Sequence, residues 1–539
     1  MTGKKHDWET TSANESDPRF YVVGGGIAAM AAAAFMIRDG DVIGSNITLF
    51  EQRDAPGGSL DGAGSAHEGY VLRGGRMFES KYVCTMELFA SIPTLDGTTT
   101  VTQETLAWNE RMHTSSKSRL ARNGVRETAP AFELTESDIL TIERIAIESE
   151  EALGRTTIAD QFSGSFFQTQ FWLMWCTTFA FQPWHSAVEF RRYILRFAHM
   201  VAGFNRLEGI MRTVYNQYDS LVRPLHKWLV ERGVVFQLGS CVTDMQLHEQ
   251  GGSKRVKRIF YECNGEQACV EVGTRDYVLV TLGSMTEASS LGGMDKAPKL
   301  QGKAIEGAWA LWETLAKGRP EFGQPHAFSS HIDATKWVSF TTTLSDPVFL
   351  RRIVEFTGNV PGEGGLITFP DSNWLMSIVV PFQPHFIDQP EETTVFWGYG
   401  LHVDAPGNFV NIPMSACTGR EIMTELLGHL QFGSDSQSIL NSAICIPCMM
   451  PFITSQFMPR ETGDRPQVLP EGYKNLAFIG QFCELPNDVV FTVEYSIRTA
   501  QCAVSSLLGL KRHPPKVYKG ATDPRVLFKA FKALHDIGN

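Results

Sequence analysis

Three small residues near the start of this chain have the spacing to hold a phosphate-bearing ligand. Gly24, Gly26 and Ala29 form a Gly-x-Gly-x-x-Ala pattern, directly after the apolar run Phe20–Val23 and at the start of an Ala-rich run from Ile27. Glycines there permit a tight strand-to-helix turn, so backbone N–H groups and the positive end of the helix face an anion such as a pyrophosphate. Ala29 in the third position still permits close packing of helix on strand. Glu51 lies 27 residues beyond Gly24, after a second apolar run, Ile47–Phe50. A carboxylate at that point can accept hydrogen bonds from a ribose diol. The combined pattern predicts a dinucleotide. Cys445-Ile-Pro-Cys448 is a lone Cys-x-x-Cys without a second pair or a nearby His, which fits packed thiols better than zinc or redox chemistry. No metal site is expected.

The elements that must position these residues follow from periodicity. A helix runs from Ile27 to about Arg38 and ends at Asp39-Gly40-Asp41; the apolar stretch Phe20–Ile37 is long enough to span a bilayer, but its three glycines fit a soluble βα turn better. Ala55–Gly75 reads as a ligand-wrapping loop, and residues 97–140 as polar surface elaboration. Phe166–Trp184 holds eight aromatics in 19 residues, where the chain-wide 11% would give about two. It reads equally as tunnel wall or as plain core. Ser186 and Glu189 form a capping box for a helix carrying Phe190, Tyr193, Ile194, Phe197, Val201 and Phe204 on one face. A second helix covers Tyr218–Arg232, and Val234–Phe236, Cys241–Val242 and Tyr277–Leu282 read as strands. Trp337–Thr343, Met376–Phe382 and Thr394–Tyr399 suggest a separate mixed sheet. Leu476–Ile479 is a buried strand ending at Gly480, followed by a helix over Glu494–Leu508.

Composition bounds the function. The chain has 539 residues, 43% of them hydrophobic and 20% charged, which excludes a disordered, collagenous or coiled-coil protein. A net charge of −11 opposes capture of nucleic acid by a basic surface. Ten scattered cysteines and a polar N-terminus without a signal peptide point to the cytoplasm.

Two features favour FAD over NAD. Gly57-Gly58-Ser59 follows the acidic residue as in two-lobed flavoproteins, and Ala477–Phe482 resembles the segment that closes such folds over the cofactor. The expected contacts from the front of the chain are Gly24, Gly26, Ile27, Ala28, Glu51, Gly58, Ser59 and Arg76. Val242, Ser284, Gly480 and Thr492 are expected from later segments. The fold class is α/β, a discontinuous Rossmann-like FAD-binding domain with an inserted mixed α+β substrate domain and a helical C-terminal segment. In chain order the FAD-binding domain takes 19–95, 205–290 and 470–512. Residues 96–204 form a mainly helical substrate-tunnel segment, 291–469 the mixed-sheet substrate-binding domain, and 513–539 the C-terminal helical segment.

Segments spread over most of the chain resemble the oleate hydratases, FAD-dependent fatty-acid hydratases also called the myosin-cross-reactive-antigen family. They are Phe35–Gly40, Gly57–Gly62, Gly69–Arg76, Leu88–Leu95, Phe179–Tyr193, Tyr215–Pro224, Gly463–Pro466 and Leu476–Ala500. The resemblance implies addition of water to the cis-9 double bond of a free unsaturated fatty acid, giving a 10-hydroxy acid without net redox change, with reduced FAD the more active form. It implies that Tyr193 is the catalytic acid; from the residues alone, a core tyrosine bonded to a carbonyl is the simpler reading. Gln217 and Thr368 match residues that hold the substrate carboxylate in the family, but Pro370 stands at the Asn of the family's Thr-x-Asn pair, so head-group recognition is only partly carried over.

The chain departs from the family in two further places. The water-activating carboxylate of the family directly follows Gly-Gly-Arg, and Met77 stands there instead; a thioether has no useful basicity. Three outcomes follow: Glu79 substitutes through a changed loop, or water attacks with help from the flavin or backbone carbonyls, or this branch is slow or inactive on oleate. Related chains also often continue into a basic amphipathic tail. Its shortness here favours a monomer over a homodimer and at most peripheral membrane contact, at the inner membrane face. The competing functions are an FAD-dependent oxidoreductase, desaturase or isomerase acting on a lipid, and a lipid-binding flavoprotein without chemistry.

Overall fold

The computed structural model describes residues 17–75, 77–128, 130–303 and 307–535. Phe20–Val23 is apolar on both faces because it is the central strand of a five-stranded sheet. The order is Leu476–Ile479, Tyr277–Thr281, Phe20–Val23, Ile47–Phe50, Val235–Gln237, and every neighbouring pair is parallel. A parallel sheet is covered on both sides, so its strands carry continuous apolar runs rather than alternation. Helix Ile27–Gly40 leaves the first strand and stops where Asp41 turns left-handed, at φ 53°. Its alanines let the closing helix, Val493–Leu507, pack directly against it. Strand, turn and helix therefore place Gly24–Gly26 at the carboxyl edge of this sheet.

A second, mixed sheet has eight strands. In order they are Ser290–Leu291, Ala443–Met450, Trp337–Leu344, Thr394–Gly400, Met376–Val379, Leu366–Thr368, Ser118–Arg122 and Val125–Thr128. Its strand Leu366–Thr368 pairs in parallel with Ser118–Arg122; the other pairs are antiparallel. A three-stranded antiparallel sheet, Ser240–Gln250, Ser253–Cys263 and Glu266–Glu271, completes the β-structure together with a small hairpin.

Four local expectations change. Residues 97–140 are not surface elaboration: Arg119 and Leu120 are fully buried, because Ser118–Arg122 extends the large sheet and its polar groups are bonded there. The stretch Ala55–Gly75 is not all loop, since Gly62–Ser65 pairs with Gly69–Leu72. The helix after Ser186 is regular only over Ala187–Phe197 and then tightens into a 3-10 segment, Ala198–Arg206. The Ser186 hydroxyl caps it by accepting from the Glu189 N–H at 3.4 Å, but the Glu189 carboxylate turns inward to Arg465 at 2.8 Å instead of completing the box. The expected Tyr218–Arg232 helix opens as a π-helical turn, Tyr218–Val222, before Arg223–Val230.

Cys445 and Cys448 share one strand three residues apart, so their thiols point to opposite faces. All ten cysteines are free. Among the described residues no helix is long and apolar enough to cross a membrane.

Candidate active site

A cleft of about 380 Å³ opens at the carboxyl edge of the parallel sheet. It is lined by Gly24, Gly26, Ile27, Ala28, Glu51, Gly58, Ser59, Val242, Ser284 and Gly480, which the sequence reading had named for the cofactor. Gly24 has φ +103°, and a Cβ there would meet the Thr281 hydroxyl at 2.9 Å. That hydroxyl is buried and has no partner among the described residues. Helix Ile27–Gly40 has neither a side-chain cap nor an acidic residue in its first turn, so its N–H groups are left for an anion. Glu51 accepts from the Gly25 N–H at 2.7 Å and the Arg53 N–H at 2.9 Å, and burial raises its pKa. These features fit a dinucleotide. Thr492 lines a neighbouring cavity instead and caps helix Val493–Leu507. Arg76 lies outside the described residues.

Next to the cleft, sharing Arg73 with it, is a largely apolar cavity of about 110 Å³. Loop 73–82 supplies Met77, Glu79 and Tyr82; the end of the aromatic helix supplies Thr177–Ala180; the large sheet supplies Trp337, Trp397 and Tyr399. Tyr193 enters from helix Ala187–Phe197, 1% exposed and boxed by Phe179, Phe181 and Phe457 at ring separations of 4.9 to 5.7 Å. Its hydroxyl donates to the Val490 carbonyl at 2.6 Å. Burial, with Tyr82 and Glu189 nearby, pushes the phenol well above its ordinary pKa, so it stays protonated. The carbonyl belongs to a strained turn, in which Phe491 holds φ +68°. Of the eight aromatics in the belt only Phe179 lines this cavity; Trp175 is core, packed among Phe171, Phe190 and Phe204.

Glu79 is the one carboxylate among the described residues lining this cavity. It accepts from Arg196 at 2.8 Å and from the Lys81 N–H at 2.7 Å, with His199 Nε2 at 3.4 Å. Burial alone would raise its pKa, but the His199 contact and the Arg196 guanidinium outweigh that and hold it below the ordinary value. It is therefore an ionised acceptor. Met77 shares the wall and brings no acceptor of comparable strength.

A smaller cavity, about 50 Å³, shares Gly74, Gly75, Arg212, Val379 and Trp397 with the larger one. Gln217 lines it, with both amide atoms unpartnered among the described residues. Thr368 lines neither cavity; its hydroxyl is taken up by Ser377 at 2.8 Å and Thr177 at 3.2 Å. Two residues were missed from sequence. Tyr82 brings a second phenol to the larger cavity. Arg212, partly buried, lines both cavities where they meet.

Residues 17–505 match the profile described as the MCRA family. The chain is 41% identical over 532 residues to an oleate hydratase of Streptococcus pyogenes serotype M49 (strain NZ131), covering 96% of this chain and 89% of that one. It is 33% identical over 565 residues to a linoleate hydratase of Lactiplantibacillus plantarum, covering 96% and 98%. Among solved structures, cyclohexylamine oxidase from Brevibacterium oxydans IH-35A shares the fold, with a TM-score of 0.52 at 12% identity over 92% of this chain and 99% of that one. A profile match over nine-tenths of the chain and two full-length relatives above 30% identity lead to one conclusion: this chain belongs to the MCRA family.

Proposed function

We propose that this chain is a fatty-acid hydratase that adds water to the cis-9 double bond of free unsaturated fatty acids such as oleate, giving 10-hydroxy acids. The observation that carries the reading is one largely apolar cavity, beside a dinucleotide cleft, lined by a neutral phenol and an ionised carboxylate. FAD is the cofactor that suits the cleft; Gly24, Gly26, Glu51 and Gly58 would hold its nucleotide part, and Thr492 borders the cavity next to it. Bound FAD, above all when reduced, supplies negative charge that favours a positively charged transition state.

The protein's own residues supply the acid and the base. The Tyr193 hydroxyl turns from the Val490 carbonyl and gives its proton to C9, while a water oxygen bonds to C10. Glu79, ionised by its partners, accepts the proton lost by that water and gives it up to the phenolate, by way of solvent, as the hydroxy acid leaves, so both residues return to their starting states. Each turnover consumes one alkene and one water, and no electrons are exchanged. Glu79 thereby takes the place left by Met77. Phe179, Phe181 and Phe457 exclude bulk water, which keeps the proton transfer productive. Thr368 lies behind that wall, its hydroxyl bonded to Ser377 and Thr177.

The reading includes a cytoplasmic monomer, supported by the free thiols, with peripheral membrane contact supported by Leu527, Phe528 and Phe531, exposed beside Lys529 and Lys532 on the last helix.

The test is anaerobic turnover of oleate in H2(18)O with reduced flavin and no electron acceptor, products read by mass spectrometry. A hydratase incorporates one label at C10. Replacing Tyr193→Phe should lower kcat by about 100-fold or more, and Tyr82→Phe much less. Full activity of the Tyr193 variant removes the acid assignment, and a product that appears only with an acceptor replaces hydration by oxidation.

A further inference from the structure

The chain beyond helix Val493–Leu507 stays on the molecule and forms an arm. Arg512 pairs with Asp39 at 3.2 Å and with Glu87, and the Pro515 carbonyl accepts from Arg498. Tyr518 then lies edge-on to His199, ring centroids 5.0 Å apart, and carries the Lys81 ammonium over its face at 5.3 Å. Gly520 is buried on the same imidazole, where a Cβ would stand 3.4 Å from His199 Nδ1. Helix Pro524–Leu534 completes the arm by packing on the 3-10 segment Ala198–Arg206, which carries His199 and supplies Met200 to the larger cavity.

What the arm touches is the support of Glu79. The Oε1 atom of Glu79 accepts from Arg196, which also bonds the Lys81 carbonyl at 3.0 Å and faces Asp488 at 3.5 Å, so that contact is fixed from three sides. Its Oε2 accepts from the Lys81 N–H and meets His199 Nε2 at 3.4 Å. Both of these residues lie under Tyr518. A histidine ring is commonly oriented by a hydrogen bond at its other nitrogen, but Nδ1 of His199 is buried without a partner among the described residues. The ring is therefore aimed by packing rather than by a bond at Nδ1, and Tyr518 and Gly520 provide that packing. Burial raises Glu79, and of the groups that bring it below its ordinary value His199 acts first and Arg196 second. The remaining titratable neighbours do not replace that contact. Tyr82, on the same loop, is raised by burial and stays protonated. Asp488 is engaged by Arg498 at 2.9 Å, and Asp523 and Arg525 of the arm pair with each other at 3.3 Å.

We propose that Tyr518 is a positioning residue for the reaction: through it and Gly520 the C-terminal arm holds the His199 imidazole on Glu79, and so completes the support of the carboxylate that takes the proton from water. Tyr518 lines neither cavity, so its effect passes through His199. The inference rests on the reading of Glu79 as the base, whereas the hold of the arm on His199 is read without any turnover.

FAD-loaded wild type, Tyr518→Ala, Tyr518→Phe, His199→Phe and Glu79→Gln are compared by two readouts. The first is the rate at which diethyl pyrocarbonate modifies His199, followed by peptide mass spectrometry; Tyr518→Ala should raise it several-fold. The second is the pH dependence of kcat for oleate, whose acid limb reports the base. In Tyr518→Ala and His199→Phe that limb should move up by about one pH unit, since Glu79 loses the contact that favours its ionised form. Tyr518→Phe keeps the ring and should restore the wild-type result in both readouts. Should Tyr518→Ala not fold, Tyr518→Leu carries the same two measurements. Equal modification rates in wild type and Tyr518→Ala overturn the proposal. So does a kcat that falls by one factor at every pH with the limb in place, which is what a purely structural arm gives. A limb lost in Glu79→Gln but unmoved in Tyr518→Ala overturns the proposal alone; a limb kept in Glu79→Gln overturns the base reading and the proposal together.

Discussion

Two groups of arginines, buried or partly so, share this chain and are treated in opposite ways. Around helix Ala187–Phe197 every one is answered: Arg460 and Arg465 share Glu189, Arg192 meets Glu150 and Glu484 at 2.7 and 2.8 Å, and Arg196 meets Glu79 at 2.8 Å. Arg498 continues the network to Asp488 and Glu494. Beneath the large sheet, Arg119 and Arg212 have no carboxylate at all among the described residues. Burial lowers Arg119 to about 9 and Arg212 to about 10, whereas Arg192, Arg196 and Arg465 are pushed upward by their carboxylates despite burial. The difference separates two uses of the same side chain. A paired network pins segments distant in sequence, here 189 and 465, into one geometry; an unpaired cation leaves its interaction energy for a ligand.

The largest effect that would break this contrast lies in the paired group. Glu189→Leu leaves Arg465 fully buried beside Arg460 with no charge between them, and should lower stability by about 3–5 kcal/mol, read from urea unfolding. A loss below about 1 kcal/mol would mean that the network is not structural.

Acid titration sharpens it. Glu189 is lowered from 4.5 to about 2: burial opposes the shift, but Arg465, Arg460 and Arg192 outweigh it. A depressed carboxylate stabilises the fold above its unfolded pKa and loses that contribution as pH falls through its folded one. Stability should therefore decline between about pH 4.5 and 2, with Glu79 and Glu150 acting in the same direction. Asp488, raised by burial and by Glu494, takes up its proton earlier and works against the trend. In Glu189→Leu the slope of stability against pH should flatten in that window. An unchanged slope would assign the acid sensitivity to other groups.

How much of this could be read from residues alone follows the same division. The cofactor cleft is local: Gly24, Gly26 and Glu51 are fixed by one strand, one turn and one helix, each with its own periodicity. Tyr193 was placed on the right face of its helix because Phe190 and Phe197 flank it at helical spacing. Arg119 and Arg212 were invisible because an unpaired cation and a solvated one look alike in sequence; Arg119 is buried only because Ser118–Arg122 joins the large sheet beside Leu366–Thr368. Glu189 was misread for a related reason: its helix-capping role is local, and the two arginines that claim it lie more than 270 residues away.

The smallest expected effect tests which hydroxyls belong to the ligand. Thr368 was expected at the substrate carboxylate, yet its Oγ1 shares hydrogen bonds with Ser377 and Thr177 and lines neither cavity. Thr177 keeps a bond to the Leu173 carbonyl at 2.7 Å without it. Thr368→Val keeps the shape of the side chain and leaves only the Ser377 hydroxyl short of a partner, so it should lower stability by about 1 kcal/mol. The oleate KM should move by less than about two-fold, since less than 0.5 kcal/mol of binding is at stake. A KM raised about ten-fold at unchanged stability would put the carboxylate at the sheet.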